Sequence, residues 1–317
     1  MSADAPAVQA LGLGRSFGQN HAVDGVDLSI PAGSIFGLLG PDGAGKSTLI
    51  RMLATVLAPD TGDAMIFGKS VTRSPGQVTP RIGYMSQNFS MYPDLSVAEN
   101  LNFFATLRGI GRAERRRRAA QLMSAMGLAE FADRPAKNLS GGMKQKLMLA
   151  ATLMHQPDLL LLDEPTTGVD PVSRREFWRI LARLHRDGKT VLVATPYMDE
   201  AERCSDLAFL SSGRITRKGS PADIKAVIPG TLFELATPLP RAAVAALAGT
   251  PAVRSAHLYG DLVRVLWTGD DQSAEELTSR LLAAGVPVMA AKPARVDMEA
   301  AFAFLTRSER PSEVARR

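Results

Sequence analysis

The run SIFGLLGPDGAGKSTLIRML, residues 34–53, constrains the fold more than any other part of this 317-residue chain. Its apolar start, Ile35–Leu39, reads as a buried strand. Past the glycines, Leu49, Ile50, Leu53 and Leu57 recur at helical spacing. Strand, glycine loop and helix in that order match G-x-x-x-x-G-K-[ST] with Gly40, Gly45, Lys46 and Ser47. Glycines let the backbone of Gly40, Pro41, Asp42, Gly43, Ala44 and Gly45 curl until its N–H groups face phosphate oxygens. The helix that opens with Lys46, Ser47 and Thr48 adds the partial positive charge of its N-terminus. Lys46 has the reach to bridge β- and γ-phosphates, and the Ser47 hydroxyl suits a Mg²⁺ ion.

A second apolar run, DLLLLDEP at 158–165, delivers Asp163 and Glu164 at the carboxyl end of a strand, where open parallel sheets bind ligands. Asp163 is suited to hold Mg²⁺ through water. Glu164 is suited to orient an attacking water or accept its proton. Between these two strands, residues 98–136 read as helical, with the charge run RAERRRR at 112–118. That run contains no aromatic residue to stack a base, so it is expected to be a solvated helix face, not a nucleic-acid patch. PVSRREFWRILARLHRDG reads as an amphipathic helix stopped by glycine, and TVLVAT as another buried strand.

Composition narrows the setting. The net charge of +5 is carried by scattered Lys and Arg, as on an ordinary solvated surface. One cysteine, Cys204, excludes an internal disulfide framework and a cysteine metal cluster, and fits a reducing compartment. No stretch approaches the ~18–20 apolar residues that span a bilayer, and MSADAPAVQALGLG lacks the form of a secretory signal. Any membrane step then needs a second polypeptide. After residue 222 the pattern becomes β-α-β-β-α-β, with the last strand expected over VPVMAAK, and it gathers no catalytic constellation.

LSGGMKQK at 139–146, set between the glycine loop and DLLLLDEP, resembles the signature of ABC transporter ATP-binding cassettes. The resemblance covers about residues 8–220. It implies an α/β fold of the P-loop NTPase type, a mixed and parallel sheet core with a helical subdomain. The expected division is a nucleotide-binding domain over 1–222, its helical subdomain at about 98–150, a small α+β accessory domain over 223–306, and a polar, disordered tail over 307–317. ATP and Mg²⁺ are the implied cofactors, with Ser47, Gln87 and Asp163 around the metal.

The resemblance also assigns roles that the residues alone leave open. Phe17 in RSFG stands where the family stacks adenine; core packing is the alternative for a single Phe after a strand. Gln87 stands where the family's glutamine reaches Mg²⁺ and the attacking water. Ser140, Gly141 and Gly142 would close on the γ-phosphate of a partner cassette in a head-to-tail dimer. Asp170 in TTGVDP would cross to that partner, cap the helix that follows, or do both. Phe89, Met91 and Tyr92 lie where the family accepts a coupling helix from a membrane permease; local packing is the plain alternative.

FGLLGPDGAGKST, TTGVDPVSRREFW and YMDEAERC, with RVDMEAAFAFLTR near the end, resemble the ATPases of type-2 exporters. Such a subunit works at the cytoplasmic face of a membrane. Soluble translation or repair ATPases of the superfamily fit less well, since no second cassette or long coiled-coil insertion is present. Two positions depart from the family. Asp42 replaces a usual asparagine and is expected to point outward or act as a cap. Pro196 stands where the family's catalytic turn carries a histidine, and proline offers neither a side-chain donor nor a backbone N–H. The same departure is similar to the first cassette of tandem export ATPases, whose second half keeps the histidine. The expectation is a weakened site in this chain and pairing with a second, intact cassette in a heterodimer; a homodimer, with two identical sites lacking the histidine, is the other pairing. The alternative is a cassette that binds nucleotide, scarcely hydrolyses it, and regulates its partner.

Overall fold

The computed structural model describes residues 6–269 and 274–308. Most of the expected tail, from residue 309, lies outside the described residues. The chain separates into two compact units, Met1–Ser220 and Pro221–Arg317.

The first unit opens with a hairpin of β1 (Pro6–Phe17) and β2 (Asn20–Pro31), followed by β3 (Ile35–Leu39) and α1 (Lys46–Leu53). Then come β4 (Thr61–Ile66), β5 (Lys69–Ser70), α2 (Pro75–Val78) and β6 (Ile82–Met85). Three helices, α3 (Val97–Leu107), α4 (Arg112–Ala125) and α5 (Gly141–Leu153), form the helical part. The α/β pattern resumes with β7 (Leu159–Asp163), α6 (Pro171–Arg186), β8 (Thr190–Thr195), α7 (Met198–Ala201), β9 (Asp206–Ser211) and β10 (Arg214–Gly219).

Two sheets share the core. One is antiparallel, in the order β2-β1-β4-β5; the other runs β10-β9-β3-β8-β7-β6 and is parallel except for β10. Every residue of β3, β7 and β8 is buried. Strands covered on both faces cannot alternate apolar and polar residues, which is why they appear in the sequence as continuous apolar runs. Leu28 and Ile30 of the first sheet meet Leu38, Leu161 and Leu192 of the second, with Leu49, Ile50 and Leu53 of α1 in the same cluster.

The helices follow local chemistry. Ser96 and Glu99 form a capping box at the start of α3, each side chain bonding the other's backbone N–H at 3.2 and 2.8 Å. Fully buried Asn100 ties α3 to the preceding loop through Tyr92, Leu95 and Ser96. The arginine run lies on α4, of which only Ala119 is buried, and Glu114 bonds both Arg117 and Arg118. Met91 is buried, whereas Tyr92 is exposed and packs edge-on against Phe103 with ring centroids 4.6 Å apart. After TVLVAT the chain makes a single helical turn, α7.

The second unit contains α8 (Pro221–Ala226), β11 (Thr231–Ala236), α9 (Pro240–Leu247), β12 (Val253–Tyr259), β13 (Leu262–Trp267), α10 (Ala274–Ala283), β14 (Ala290–Ala294) and α11 (Met298–Ser308). Its sheet is antiparallel, ordered β12-β13-β11-β14, with Phe233, Leu235, Val263, Val265 and Trp267 packed on Leu247, Leu277 and Leu281. The last strand starts at Ala290, later than VPVMAAK suggests. Gly285 turns left-handed at φ 76°, and the Val286 N–H bonds the Leu281 carbonyl at 2.8 Å. Val286 therefore packs as the apolar residue of a helix C-terminal motif, not as strand.

Cys204 is buried beside Glu200, and burial first, then that carboxylate, pushes its thiol from 9.0 up to about 12. The folded chain keeps a proton that the unfolded chain releases, so this thiol's contribution to stability is present below pH 9 and lost as pH rises toward 12. At pH 8 the native thiol is held in its protonated, unreactive form. A chromogenic disulfide reagent is expected to leave the native chain unmodified for hours and to titrate one thiol at once in denaturant.

Candidate functional site

The site is assembled by the carboxyl ends of three neighbouring parallel strands. Leu39 of β3 pairs with Thr195 of β8, and Ala194 of β8 pairs with Asp163 of β7. The glycine loop, Glu164 and the Pro196 turn therefore all begin at one edge of the sheet.

The loop after β3 curls as the glycines allow. Gly40, Gly43 and Gly45 have φ values of 156°, 78° and 104°. A Cβ at Gly45 would stand 2.0 Å from the Ala22 carbonyl oxygen, so this position has neither the space nor the torsion for a side chain. Lys46, 4% exposed, donates to the carbonyls of Gly40 at 2.9 Å and Pro41 at 3.0 Å. Its ammonium lies 3.8 Å from a Glu164 oxygen.

Glu164 has φ 49°, an uncommon region for a residue with a side chain, and its N–H bonds the Ala194 carbonyl at 2.9 Å. That twist turns its carboxylate toward the loop. One oxygen accepts from Gln87 Nε2 at 2.9 Å and from the Thr167 hydroxyl at 3.2 Å. Asp163 is fully buried; one oxygen accepts from the Ser47 hydroxyl at 2.9 Å, and the other has no hydrogen-bond partner. Burial first, then repulsion from Glu164, raises its pKa against the opposing Ser47 bond.

A cavity of about 400 Å³ lies over this apparatus. Asp42, Gly43, Ala44, Gly45, Lys46, Ser47 and Thr48 form its floor, Gln87 and Glu164 one wall, and Phe17 another. Phe17 is 50% exposed, with the Arg15 guanidinium 5.2 Å from its ring, so it is not a core residue. Asp42 is exposed and caps nothing among the described residues. Asn20 and Ala22 also line the cavity. Neither carries a recognisable signal in sequence; their place follows from the β1–β2 hairpin.

Other expected site residues lie outside this cavity. Ser140 caps α5 by accepting from the Met143 N–H at 3.3 Å. Gly142 is buried, and a Cβ there would stand 2.5 Å from Ser173, while Gly141 faces the Gly168 carbonyl. Asp170 caps α6, accepting from the N–H groups of Val172 at 3.0 Å and Ser173 at 2.9 Å, and these bonds, the Ser173 N–H foremost, lower its pKa. Ser140, Gly141, Gly168 and Asp170 are exposed, a second patch built on two helix N-termini. Pro196 is half-buried and follows the last residue of β8. None of the four histidines lines the cavity: His21 bonds Ser16, His155 bonds the Ile82 carbonyl, His185 lies on α6 and His257 on β12.

With this geometry in hand, comparison with known proteins is specific. Residues 23–167 match the ABC transporter family. The chain is 44% identical over 230 residues to the daunorubicin/doxorubicin resistance ATP-binding protein DrrA of Streptomyces peucetius, covering 72% of this chain and 70% of that one. It is 45% identical over 217 residues to the probable multidrug ABC transporter ATP-binding protein YbhF of Escherichia coli, covering 68% of this chain and 38% of that one. The ATP-binding cassette MJ0796, solved as a dimer in a post-hydrolysis state with ADP and Pi, superposes with a TM-score of 0.62 at 26% identity, over 67% of this chain and 98% of that one.

A methyl group at Gly45 forces the loop off Ala22, and truncation of Lys46 removes the buried ammonium held by the Gly40 and Pro41 carbonyls at the cavity floor. Gly45→Ala and Lys46→Ala are each expected to weaken binding of a fluorescent ATP analogue by about ten- to a hundredfold. Circular dichroism should show both variants folded.

Proposed function

The chain belongs to the ABC transporter family of ATP-binding cassettes, and from that premise we propose that it hydrolyses ATP to drive efflux through a separate membrane permease. The observation that carries this reading is Glu164, a carboxylate fixed between Gln87, Thr167 and Lys46 at the wall of the nucleotide cavity. Likeness to a drug-resistance ATP-binding protein and a multidrug one supports export as the direction. No described helix is long and apolar enough to cross a membrane, which accords with a subunit docked on a permease at its cytoplasmic face.

In this reading adenine stacks on Phe17 and the phosphates lie over Gly43–Thr48, where Lys46 exchanges its carbonyl partners for phosphate oxygens. Ser47, Gln87 and Asp163 hold Mg²⁺. The unpartnered buried oxygen of Asp163 beside the Ser47 hydroxyl supports that assignment. When bound, the ion neutralises phosphate charge and fixes phosphate geometry. Glu164 orients the attacking water and takes its proton. Ser140, Gly141, Gly142 and Asp170 serve the site of a second cassette packed head to tail.

The turn at Pro196 brings no histidine to the γ-phosphate, and no other histidine lines the cavity. Losing one preorganised donor costs on the order of a hundredfold in rate. The chain is therefore the weaker half of an asymmetric pair, its signature completing the stronger site of a partner that retains the histidine. The regulatory alternative differs in one measurable respect, the absence of turnover.

Steady-state ATPase assays on the full chain test this. Slow turnover is expected in the wild type, abolished by Glu164→Gln and raised at least about tenfold by Pro196→His. Brisk wild-type hydrolysis that Pro196→His leaves unchanged would sink the weak-site assignment. Affinity purification from the native host should bring down a permease and a second cassette. Recovery as a lone, active homodimer would overturn the pairing.

A further inference from the structure

Glu200, the fourth residue of YMDEAERC, is fully buried, yet it lies outside the nucleotide cavity and has no role in the site described above. One of its oxygens accepts from the Thr166 hydroxyl. The other accepts from the Thr195 hydroxyl at 2.6 Å. Both threonines are themselves buried. Thr166 is two residues past Glu164, and Thr195 immediately precedes Pro196. Thr195 also accepts from the Tyr197 N–H at 3.0 Å, so its oxygen pins the far side of the proline. The nearest cation, Arg174, stands 3.9 Å from Glu200, stacks its guanidinium 4.0 Å from the Tyr197 ring, and belongs to the helix capped by Asp170.

A carboxylate taken wholly out of water is costly unless its oxygens are bonded, and here both are, by the hydroxyls of Thr166, in the segment after β7, and Thr195, the last residue of β8. Pro196 has no N–H and no side-chain donor, so its own residue contributes no hydrogen bond to hold the turn. The turn is joined to the Glu164 segment at two points: the backbone bond from Glu164 N–H to Ala194, and the Thr166–Glu200–Thr195 bridge. The first fixes the backbone on entry to Glu164. The second fixes the chain on its exit and thereby limits how far the carboxylate can swing.

We infer that Glu200 is a positioning residue for ATP hydrolysis, clamping the segment after Glu164 to the Pro196 turn and, through Arg174, to the helix that begins at Asp170. The inference rests on the hydrolytic reading above. Misplacement of a reacting group by about 1 Å costs up to ~10²-fold, while a clamp remote from the phosphates leaves ground-state binding untouched. Glu200 should thus govern kcat and not nucleotide affinity.

The test is ATPase kinetics of the full chain beside its affinity for a fluorescent ATP analogue. Glu200→Ala is expected to lower kcat by about ten- to a hundredfold, with KM and analogue affinity within about threefold of wild type. Glu200→Gln, which keeps the shape and bonds both hydroxyls once one of them turns to accept, should recover most of that loss. Should Glu200→Ala fail to fold, the near-isosteric Thr195→Val reads the same bridge and should show the same split between kcat and KM. A wild type that turns over while Glu200→Gln, Glu200→Ala and Thr195→Val match its kcat, or lose affinity in proportion to it, overturns the inference alone. A wild type no faster than Glu164→Gln sinks the hydrolytic reading and the inference with it.

Discussion

The parallel register of β3, β8 and β7 is the constraint on which everything else depends. With Leu39 opposite Thr195 and Asp163 opposite Ala194, three strands end at one level, and the glycine loop, Glu164 and the Pro196 turn follow them directly. The four leucines of β7 are all fully buried. At roughly 1.5–3 kcal/mol for each such side chain, the apolar energy of the strand far exceeds the cost of the strained residue that follows it. Glu164 can thus be held at φ 49°, with its N–H on Ala194, in a conformation an isolated chain would rarely populate. The core supplies the stability, and the strand end spends it on geometry.

Electrostatics within the site then follow from burial. Lys46 and Glu164 are both nearly inaccessible to solvent and 3.8 Å apart, too far for a hydrogen bond. Each instead finds partners of its own: two carbonyls for the ammonium, an amide and a hydroxyl for the carboxylate. This keeps either charge from being stranded, and it leaves both replaceable. In the proposed function, incoming phosphate would compete with neutral carbonyls for Lys46, and water with Gln87 for Glu164. Asp163 differs, because one of its oxygens has no partner to give up. A raised pKa is the expected response of such a group, and a cation is what would reverse it.

What the sequence made legible was local. Buried parallel strands appear as apolar runs, α1 as a 3.6-residue periodicity, and the phosphate loop as glycines at fixed spacing; each is a pattern within about ten residues. Those same runs carry Lys46, Ser47, Asp163 and Glu164, so the chemistry-bearing centre could be named early. What escaped notice depends on contacts across the fold. The seat of Ala22 against Gly45, the close approach of Gly142 to Ser173, and the bridge through Glu200 join positions from 5 to 34 residues apart, with side chains that announce nothing by themselves. The last strand was misplaced for a related reason. Val286 and Val288 look like strand, but Gly285 commits Val286 to closing α10, and the strand waits until Ala290. An apolar pair is ambiguous until the turn before it is known.

The proposed weakness at Pro196 and the proposed partner role of the signature patch rest on different supports. Pro196 is carried by β8 and tethered through Thr195 and Tyr197. Ser140, Gly141 and Gly142 open α5, whose start is packed on α6 through Gly142 and Ser173, and Asp170 caps that second helix with two backbone bonds. Neither cap involves Pro196. A chain could therefore lose a γ-phosphate donor at its own site with no change in the helix N-termini it offers to a neighbour. In the proposed pair this separation lets one cassette serve as a poor catalyst and a complete partner surface at the same time. Arg174 is the point where the two supports meet, since it begins in the first turn of α6 and ends against Tyr197 and Glu200. If binding at the patch shifts the start of α6, the shortest route by which it reaches Glu164 runs through that guanidinium and the carboxylate beside it.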